Sequence, residues 1–276
     1  MKILVTGGSG QLGHDVVIEL TKRGHKALSP SHIELDVTNS ICVDKYFHEN
    51  YPDAIIHCAA YSAVDKAETE QTECIKTNVD GTENVTKECI KYNIPELFIS
   101  TDYVFDGNGS RPWEINDPVN PLNTYGKSKA DAESIVLKNP KHFIVRISWV
   151  FGLTGKNFVK TMLKQSEKMT EINVVSDQIG SPTFTCDLAP LMCDMIESNK
   201  YGMYQAHNEG FCSWYEFACQ IFNVAGIDVK VSPITTNEYP TAAKRPSNSR
   251  MSTSSLKDAG FNLLPNWMDA VERFIQ

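Results

Sequence analysis

A glycine-rich turn close to the N-terminus constrains the fold of this chain more than any other feature. The turn Thr6–Gly13, with the sequence TGGSGQLG, directly follows the apolar run Lys2–Thr6 and opens the amphipathic stretch Gln11–Arg23. Between a strand and a helix, glycines permit a tight turn and a close approach of the backbone to a pyrophosphate. The N–H groups at the start of the helix attract that anion. The turn therefore predicts a dinucleotide site that includes Gly7, Gly10, Gln11, Leu12 and Gly13.

Short apolar runs alternate with longer amphipathic stretches through the first half of the chain. The runs are rich in Ile, Val and Phe, which is typical of buried parallel strands, and they cover Lys2–Thr6, Lys26–Ser29, Ala54–Cys58, Leu97–Ser100 and Phe143–Ser148. The stretches between them have helical periodicity and cover Gln11–Arg23, Ile41–Asn50, Glu70–Tyr92 and Thr124–Leu137. This order predicts an α/β fold of the Rossmann type, with a doubly wound parallel sheet covered by helices on both faces.

The second half of the chain has a looser pattern. Helical periodicity occurs at Asn157–Lys168, Cys186–Ser198, Trp214–Ala225 and Pro265–Phe274, and strand patterns occur at Ile172–Val175, Met203–Ala206 and Val229–Ile234. We expect a dinucleotide-binding domain at residues 1–152, rejoined by about 184–208. We expect a smaller substrate-binding lobe at residues 153–183 and 209–276.

Charge and composition exclude several classes of function. The 276 residues include 26 Lys and Arg against 34 Asp and Glu, so the formal net charge is -8 and the surface repels nucleic-acid phosphates. No apolar run approaches the roughly 18 residues of a membrane span, and the N-terminal run is too short for a signal peptide. We therefore expect a cytoplasmic protein with neither nucleic-acid nor membrane partners. The eight cysteines form no CxxC pair and the seven histidines no ligand cluster, which predicts reduced thiols and no metal site.

Two residues spaced by four, Tyr125 and Lys129, give the clearest chemical signal. On a helix they lie on the same face. An ammonium close to a phenol favours the phenolate, so we expect Lys129 to lower the pKa of Tyr125. A tyrosine tuned in this way gives a proton to an oxygen while a hydride reaches the adjoining carbon. The order of glycine turn and YxxxK pair favours catalysis over a chance surface pair.

A further candidate lies at the end of the fourth predicted strand. Ser100 and Thr101 fall at its carboxyl end, where open α/β sheets bind their ligands. The Thr101 hydroxyl can donate to a substrate carbonyl and polarise it. Asp102 has two interpretations, since it either contacts the substrate or only orders the loop.

The GxxGxxG spacing of the turn resembles the extended form of the short-chain dehydrogenase/reductase superfamily. Many NAD-specific members carry an acid at the end of the second strand, where this chain has Ser29. Without that carboxylate a 2′-phosphate is not repelled, and Ser29, Ser31 or His32 can hydrogen-bond it, so we expect NADPH or NADH as cofactor. Asp36 and Val37 resemble the superfamily's pair that holds the adenine, although Asp36 is also typical of a helix cap or turn.

Small residues follow the third predicted strand. They let the backbone pass close beneath a cofactor, although simple packing accounts for Ala59 and Ala60 equally well. Besides the turn and the residues after the second strand, the residues assigned to the cofactor site are Ala59, Ala60, Tyr61, Ser62, Ile99, Tyr125 and Lys129.

Longer segments resemble the dTDP-4-dehydrorhamnose reductase family. The segment AAYSAVDKAE is similar to the family's AAxTAVDxAE, STDYVFDG matches its motif of the same letters, and RISWVFG and DQIGSPT are similar to RTSWVYG and DQxGxPT. The resemblance runs through nearly the whole chain in order. The similar segments are Ala59–Glu68, Ser100–Gly107, Arg146–Gly152, Asp177–Thr183, Ser213–Ala218 and Arg245–Ser249.

The resemblance implies reduction of dTDP-4-dehydro-L-rhamnose at the sugar C4 carbonyl to dTDP-L-rhamnose, in the synthesis of deoxysugar precursors of cell-surface polysaccharides. It implies that Tyr125 donates the proton and that Lys129 tunes it and holds the cofactor ribose. It implies that Thr101 assists at the carbonyl oxygen.

The resemblance also implies a sugar pocket. Trp149 is equally typical of a core aromatic between lobes, and Arg245 of a solvated charge. The residues assigned to the substrate are Val64, Thr101, Asp102, Tyr103, Trp149 and Arg245.

Several related functions stay open at this stage. A nucleotide-sugar 4,6-dehydratase is disfavoured because it needs Glu where this chain has Tyr103, and a phenol does not replace a carboxylate at neutral pH. Another nucleotide-sugar 4-ketoreductase, a 3,5/4-epimerase or a non-catalytic regulatory subunit of the same fold is not excluded. Some family members form a magnesium-linked dimer through acids; only Asp15 lies at a suitable position, so magnesium is not expected and a homodimer is left open.

Overall fold

A computed structural model describes residues 1–276 and contains a central sheet of six parallel strands. The strand order in the sheet is β10-β5-β4-β3-β1-β2, which confirms the predicted Rossmann-type architecture. The strands are β1 Lys2–Thr6, β2 Lys26–Leu28, β3 Ala54–His57, β4 Glu96–Thr101, β5 His142–Ile147, β6 Val150–Phe151, β7 Glu171–Val175, β8 Ile179–Gly180, β9 Thr183–Phe184, β10 Gly202–Gln205, β11 Asn208–Glu209, β12 Cys212–Ser213, β13 Lys230–Ile234 and β14 Leu264–Asn266.

The helices begin and end close to the positions that the periodicity predicts. Asn39 caps the second helix through the N–H groups of Ile41 and Cys42, and Asn123 caps the sixth through Gly126. The helices are α1 Gln11–Lys22, α2 Ser40–Asn50, α3 Val64–Ala67, α4 Gln71–Ile75, α5 Gly81–Lys91, α6 Thr124–Val136, α7 Phe158–Ser166, α8 Thr185–Ile196, α9 Trp214–Ala225, α10 Ser254–Asp258 and α11 Trp267–Ile275, with 3₁₀ turns at Asp102–Val104 and Thr236–Glu238.

Alternate residues of the central strands enter two separate cores. Ile3, Val5 and Ile56 pack in the core shared with α1 and α8. Leu4 and Ile55 point to the opposite face and pack in the core shared with α2 and α5. Both faces of the sheet are therefore buried, which explains why these strands are continuous apolar runs without polar alternation.

The sheet order reverses at β1 and creates the crevice that a ligand of this fold occupies. β2 pairs with one edge of β1, and β3 pairs with the other, both in parallel register. The carboxyl ends of β1, β3 and β4 therefore meet at one edge of the sheet. The glycine-rich turn and Thr101 both lie at that edge.

A third core, formed by the second half of the chain, holds together most of the later elements. β13 pairs in parallel with β7 over five residues, and α7, α9 and α11 pack around an apolar cluster that includes Phe151, Phe217 and Trp267. Two later elements return to the central sheet, since β10 pairs with β5 and α8 packs on α1. The boundaries of the two expected domains stay a prediction.

The helix predicted at Glu70–Tyr92 is interrupted, which corrects the sequence-based expectation. A π turn, Lys76–Asp80, separates α4 from α5. Asn78 in this turn is buried; its Oδ1 accepts from the Tyr61 N–H at 2.8 Å, and its Nδ2 donates to Ser128 Oγ at 2.9 Å. These tertiary hydrogen bonds stabilise the widened turn. Hydrophobic periodicity does not predict them, because they are made by a polar side chain with partners distant in the sequence.

None of the helices is both long enough and apolar enough to cross a lipid bilayer.

A buried ion pair lies beneath the edge of the sheet where the glycine-rich turn sits. Arg146 on β5 donates to both carboxylate oxygens of Glu133 on α6, at 2.9 and 2.7 Å. Ser100 at the end of β4 also donates to this carboxylate. Both charged side chains are almost completely inaccessible. The pair therefore fixes α6 relative to two strands of the sheet.

Breaking this pair should destabilise the protein strongly. We expect Arg146→Met to lower the free energy of unfolding by about 3–5 kcal/mol, because it leaves the Glu133 carboxylate buried without its cation. The double variant Glu133→Met, Arg146→Met should regain a large part of that loss. Urea denaturation measures both, with the exposed Lys127→Gln on the same helix as control. A loss below about 1 kcal/mol for Arg146→Met would contradict a structural role for the pair.

Candidate active site

One elongated cavity of about 580 Å³ runs along the carboxyl edge of the sheet. It begins at the glycine-rich turn, passes the ends of β1, β3 and β4, and reaches Tyr125, Lys129 and Trp149. The two strongest sequence motifs, separated by more than 100 residues, therefore face one space.

The glycine-rich turn packs directly on the backbone that follows β3. Gly7 has φ +64°, and a Cβ at this position would lie 2.8 Å from the backbone nitrogen of Ala59. A Cβ on Gly13 would lie 2.3 Å from the carbonyl oxygen of Gly7. No side chain caps α1 at Gly10, so the first N–H groups of this helix are free to face the cavity. The turn therefore fits the pyrophosphate of a dinucleotide.

The end of the cavity that lies farthest from Tyr125 is formed by the residues that follow β2. His32, Leu35, Val37 and Thr38 line it. The Asp36 carboxylate points instead to its own turn and accepts from the Thr38 N–H at 2.9 Å and the Thr38 hydroxyl at 2.8 Å. Of the two interpretations of Asp36, the turn residue is the one that these contacts favour.

The opposite end of the cavity carries Tyr125 and Lys129, one turn apart on α6. Lys129 is almost fully buried, and its Nζ lies 3.9 Å from the centre of the Phe98 ring. Burial lowers the pKa of Lys129 to about 7. The Tyr125 ring packs edge-on against Tyr103 at 5.7 Å.

The expectation that Lys129 lowers the pKa of Tyr125 is wrong for the protein without a ligand. Burial raises the pKa of the Tyr125 phenol, and the nearby Asp102 carboxylate raises it further. Desolvation penalises the phenolate and outweighs the hydrogen bond from Thr101, which favours it. The phenol is therefore protonated at neutral pH, which is the form that a proton donor requires.

A threonine and an aspartate complete this end of the cavity. The Thr101 hydroxyl donates to Asp102 Oδ1 at 3.1 Å and accepts from the Tyr103 N–H at 3.3 Å. Thr101 and Asp102 both line the cavity. The second carboxylate oxygen of Asp102, Oδ2, is buried without a hydrogen-bond partner. Burial raises the pKa of Asp102 to about 6. An unpartnered oxygen in a cavity wall is suited to a polar ligand.

Trp149 forms the side wall in a strained conformation. Its φ of +47° is uncommon for a bulky residue, and such strain persists only where the surroundings hold it. Its indole stacks on Trp214 with ring centres 3.7 Å apart and planes 14° apart. Trp149 therefore fits both expected roles, since it packs against the third core and also lines the cavity.

Arg245 lies outside the cavity. Its guanidinium donates to both oxygens of Asp65, at 3.0 and 2.7 Å. It borders two other surface pockets, and it lies beside Tyr103, which does line the cavity. The interpretation of Arg245 as a simple solvated charge does not agree with this pairing.

Comparison with known proteins shows the family to which the chain belongs. The family model described as "RmlD substrate binding domain" matches residues 1–276. The dTDP-4-dehydrorhamnose reductase of Aggregatibacter actinomycetemcomitans is 39% identical over 98% of this chain and 97% of its own length. The chain belongs to the dTDP-4-dehydrorhamnose reductase family. The expected membership is thereby confirmed.

Two further relatives cover similar lengths. The spore coat polysaccharide biosynthesis protein SpsK of Bacillus subtilis is 37% identical over all of this chain and 97% of its own. The crystal structure of dTDP-4-dehydrorhamnose reductase from Bacillus anthracis in complex with NADP has a TM-score of 0.96 and 39% identity, and covers 99% of this chain and 98% of that one.

Most residues that the sequence assigned to the reductase-type site line the single cavity. Four do not: Asp36 and Arg245, described above, Ser29, whose side chain lies against Gly8, and Tyr61, whose hydroxyl donates to Glu70. The roles of all the assigned residues, inside and outside the cavity, stay predictions. The assigned residues that line the cavity are Gly7, Gly10, Gln11, Leu12, Gly13, Val37, Ala59, Ala60, Ser62, Val64, Ile99, Thr101, Asp102, Tyr103, Tyr125, Lys129 and Trp149.

The cavity also contains residues that the sequence did not indicate. Thr77 reaches it from the π turn, for which the sequence has no signal. Thr6 and Ser9 belong to the glycine-rich turn itself, and Cys58 directly precedes the assigned Ala59. These three residues could have been predicted from their position next to assigned residues.

Removing the buried ammonium should stabilise the protein. We expect Lys129→Met to raise the free energy of unfolding by about 1–3 kcal/mol at pH 6.5, because it removes a desolvated cation and keeps contact with Phe98. The pKa of Lys129 falls from 10.5 to about 7 on folding, so the cost is complete below pH 7 and declines up to pH 10.5.

Urea denaturation at pH 6.5 and 9.5 measures this difference. The advantage of Lys129→Met over the wild-type chain should be smaller at pH 9.5. Lys127→Met, at an exposed position of the same helix, should show no such change. A variant that is less stable at both pH values would contradict the desolvation of Lys129.

Proposed function

We propose that this chain reduces dTDP-4-dehydro-L-rhamnose at the sugar C4 carbonyl to dTDP-L-rhamnose, with NADPH or NADH as cofactor. The observation that carries the proposal is the single cavity that joins the glycine-rich turn to Tyr125, Lys129 and Thr101. Relatives that align over nearly their whole length carry the name of this reductase, and one of them is a complex with NADP.

The cofactor is proposed to lie along the edge of the sheet. The glycine-rich turn and the free N–H groups of α1 hold its pyrophosphate, and Leu35 and Val37 pack against its adenine end. Lys129 lines the cavity at the end that carries Tyr125, and its amine is proposed to donate to ribose hydroxyls of the cofactor. When bound, the nicotinamide supplies a hydride for the sugar carbon.

Tyr125 is proposed as the proton donor. Its raised pKa keeps the phenol protonated at neutral pH, so it can donate to the oxygen that gains charge as the carbonyl is reduced. Thr101 donates a hydrogen bond to the same oxygen, which stabilises the developing charge. Lys129 is proposed to supply the positive charge that favours the Tyr125 phenolate after transfer.

The sugar is proposed to lie between Trp149, Tyr103 and Val64, with the buried Asp102 accepting from a sugar hydroxyl. Tyr103 stands where a dehydratase needs a carboxylate, and its pKa is raised by burial, so it does not serve as a base at neutral pH. The nucleotide end is proposed to extend past Tyr103 toward Arg245.

The division into two domains is part of the proposal. Residues 1–152, with about 184–208, form the cofactor-binding domain, and residues 153–183 and 209–276 form the substrate-binding lobe. The return of β10 and α8 to the central sheet supports this division.

Tyr125→Phe should remove the proton donor and leave the cofactor site intact. We expect kcat to fall by about 10²–10⁴-fold, with the Kd for NADPH unchanged within about twofold. NADPH absorbance follows turnover, and fluorescence titration follows binding. Tyr46→Phe, on α2 and outside the cavity, is the matched control. A kcat that falls by less than about tenfold would contradict the assigned proton donor.

Cofactor preference should respond to charge at His32. This residue lines the cavity, is largely exposed, and no carboxylate ends β2. We expect His32→Asp to lower the ratio of kcat/KM with NADPH to that with NADH by about tenfold, because the carboxylate repels a 2′-phosphate. His48→Asp on α2 should leave the ratio unchanged. An unchanged ratio in His32→Asp would place the 2′-phosphate elsewhere.

A further inference from the structure

A row of lysines follows helix α7 on the outside of the molecule. Lys156, Lys160, Lys164 and Lys168 recur every four residues, so they share one side of the helix and its flanks. All four line one surface depression of about 520 Å³. Other surface lysines, such as Lys45, Lys87 and Lys230, pair with acids, but no ion pair engages any lysine of this row. The row is therefore a concentrated positive charge on a chain of net charge -8.

The depression adjoins a deeper pocket of about 490 Å³. Thr161, Gln165 and Met169 line both. The deeper pocket lies between α7 and β7, and its wall carries Trp214 and Arg245. Its one lining carboxylate, Glu171, is paired with Lys230 at 2.8 Å.

A stacked pair of indoles lies between this pocket and the reaction cavity. Trp214 lines the pocket and Trp149 lines the cavity, with ring centres 3.7 Å apart. From the outside inward, the order is lysine row, pocket, tryptophan pair and Tyr125. Arg245 also lines the deeper pocket, so a nucleotide end that extends past Tyr103 toward Arg245, as proposed above, lies beside this pocket and the lysine row that adjoins it.

We propose that the lysine row of α7 attracts the diphosphate of the nucleotide sugar and directs this substrate into the adjoining pocket. The inference rests on the proposed function, because it concerns that substrate's entry. A nucleoside diphosphate sugar is a dianion, and the acidic surface elsewhere repels it. Charges at the rim of a site raise the local concentration of an oppositely charged ligand and its rate of association. They do so without touching the reacting atoms.

One lysine of the row has a separate structural role. Lys160 donates to the carbonyl oxygens of Leu153 and Gly155, at 2.7 and 3.1 Å. Its removal would disturb the loop before α7, and Asn157 of that region donates to Gln11 of the glycine-rich turn at 2.8 Å. The test therefore keeps Lys160 and changes only Lys156, Lys164 and Lys168, whose side chains are exposed.

The test compares two triple variants with the same change in net charge. One is Lys156→Gln, Lys164→Gln, Lys168→Gln; the control is Lys45→Gln, Lys87→Gln, Lys138→Gln, on the helices that cover the central sheet and on the loop after α6. We expect the first to raise the KM for the keto-sugar about five- to tenfold at about 20 mM salt, with kcat unchanged. The effect should shrink below about twofold at about 300 mM salt, because salt screens exposed charges.

Calorimetric titration with dTDP and with NADPH separates the two anionic ligands. The row variant should bind dTDP about five- to tenfold more weakly at low salt and NADPH with unchanged affinity. An unchanged KM, an equal effect in both triple variants, or a loss confined to NADPH would overturn the inference. A wild-type chain that binds dTDP but does not reduce the keto-sugar would contradict the proposed function instead, and the dTDP titrations would still decide the role of the row.

Discussion

Direct contact between the glycine-rich turn and the backbone after β3 is the constraint on which the rest of the site depends. At Gly7 and Gly13 there is no room for a Cβ, because the turn lies against Ala59 and against itself. This contact places the start of α1 close to the carboxyl edge of the sheet. The cavity lies next to it, along the ends of the strands. The same edge carries Thr101, and α6 brings Tyr125 and Lys129 to it. The glycines therefore set the height at which a dinucleotide can lie relative to these three side chains.

Buried polar contacts hold α6, the helix that carries Tyr125 and Lys129, in place. Asn78 joins the loop after β3 to Ser128 of α6, and the Glu133–Arg146 pair joins α6 to β5. Lys129 lies between these contacts with its amine on the face of Phe98 and no carboxylate bound to it. The protein thus tolerates a desolvated amine in the candidate active site, and perturbed pKa values commonly cluster at such sites.

Much of this arrangement is visible in the sequence, and what is not visible has identifiable physical causes. The strands and most helices follow from hydrophobic periodicity, because both faces of the sheet are buried and the helices have one apolar side. The π turn at Lys76–Asp80 has no periodic signal, since Asn78 is stabilised by partners distant in the sequence. The positions of the YxxxK pair and of Thr101 relative to the predicted strands were enough to predict that these residues share one site. The pKa of Tyr125 could not be predicted, because it depends on burial, and the YxxxK spacing carries no information about burial. Arg245 and Asp36 were placed by resemblance, and their actual partners, Asp65 and Thr38, depend on tertiary contacts.

The central claim is that the chain reduces a ketone at the sugar C4, and isotope transfer tests it most directly. The enzyme is incubated with dTDP-4-dehydro-L-rhamnose and NADPH deuterated at nicotinamide C4, and the product is analysed by mass spectrometry and NMR. One deuterium at the sugar C4, with loss of one equivalent of NADPH, is the predicted result. Deuterium at another ring carbon, or a changed sugar without net oxidation of NADPH, would contradict the account and indicate an epimerase or another reaction of the same fold.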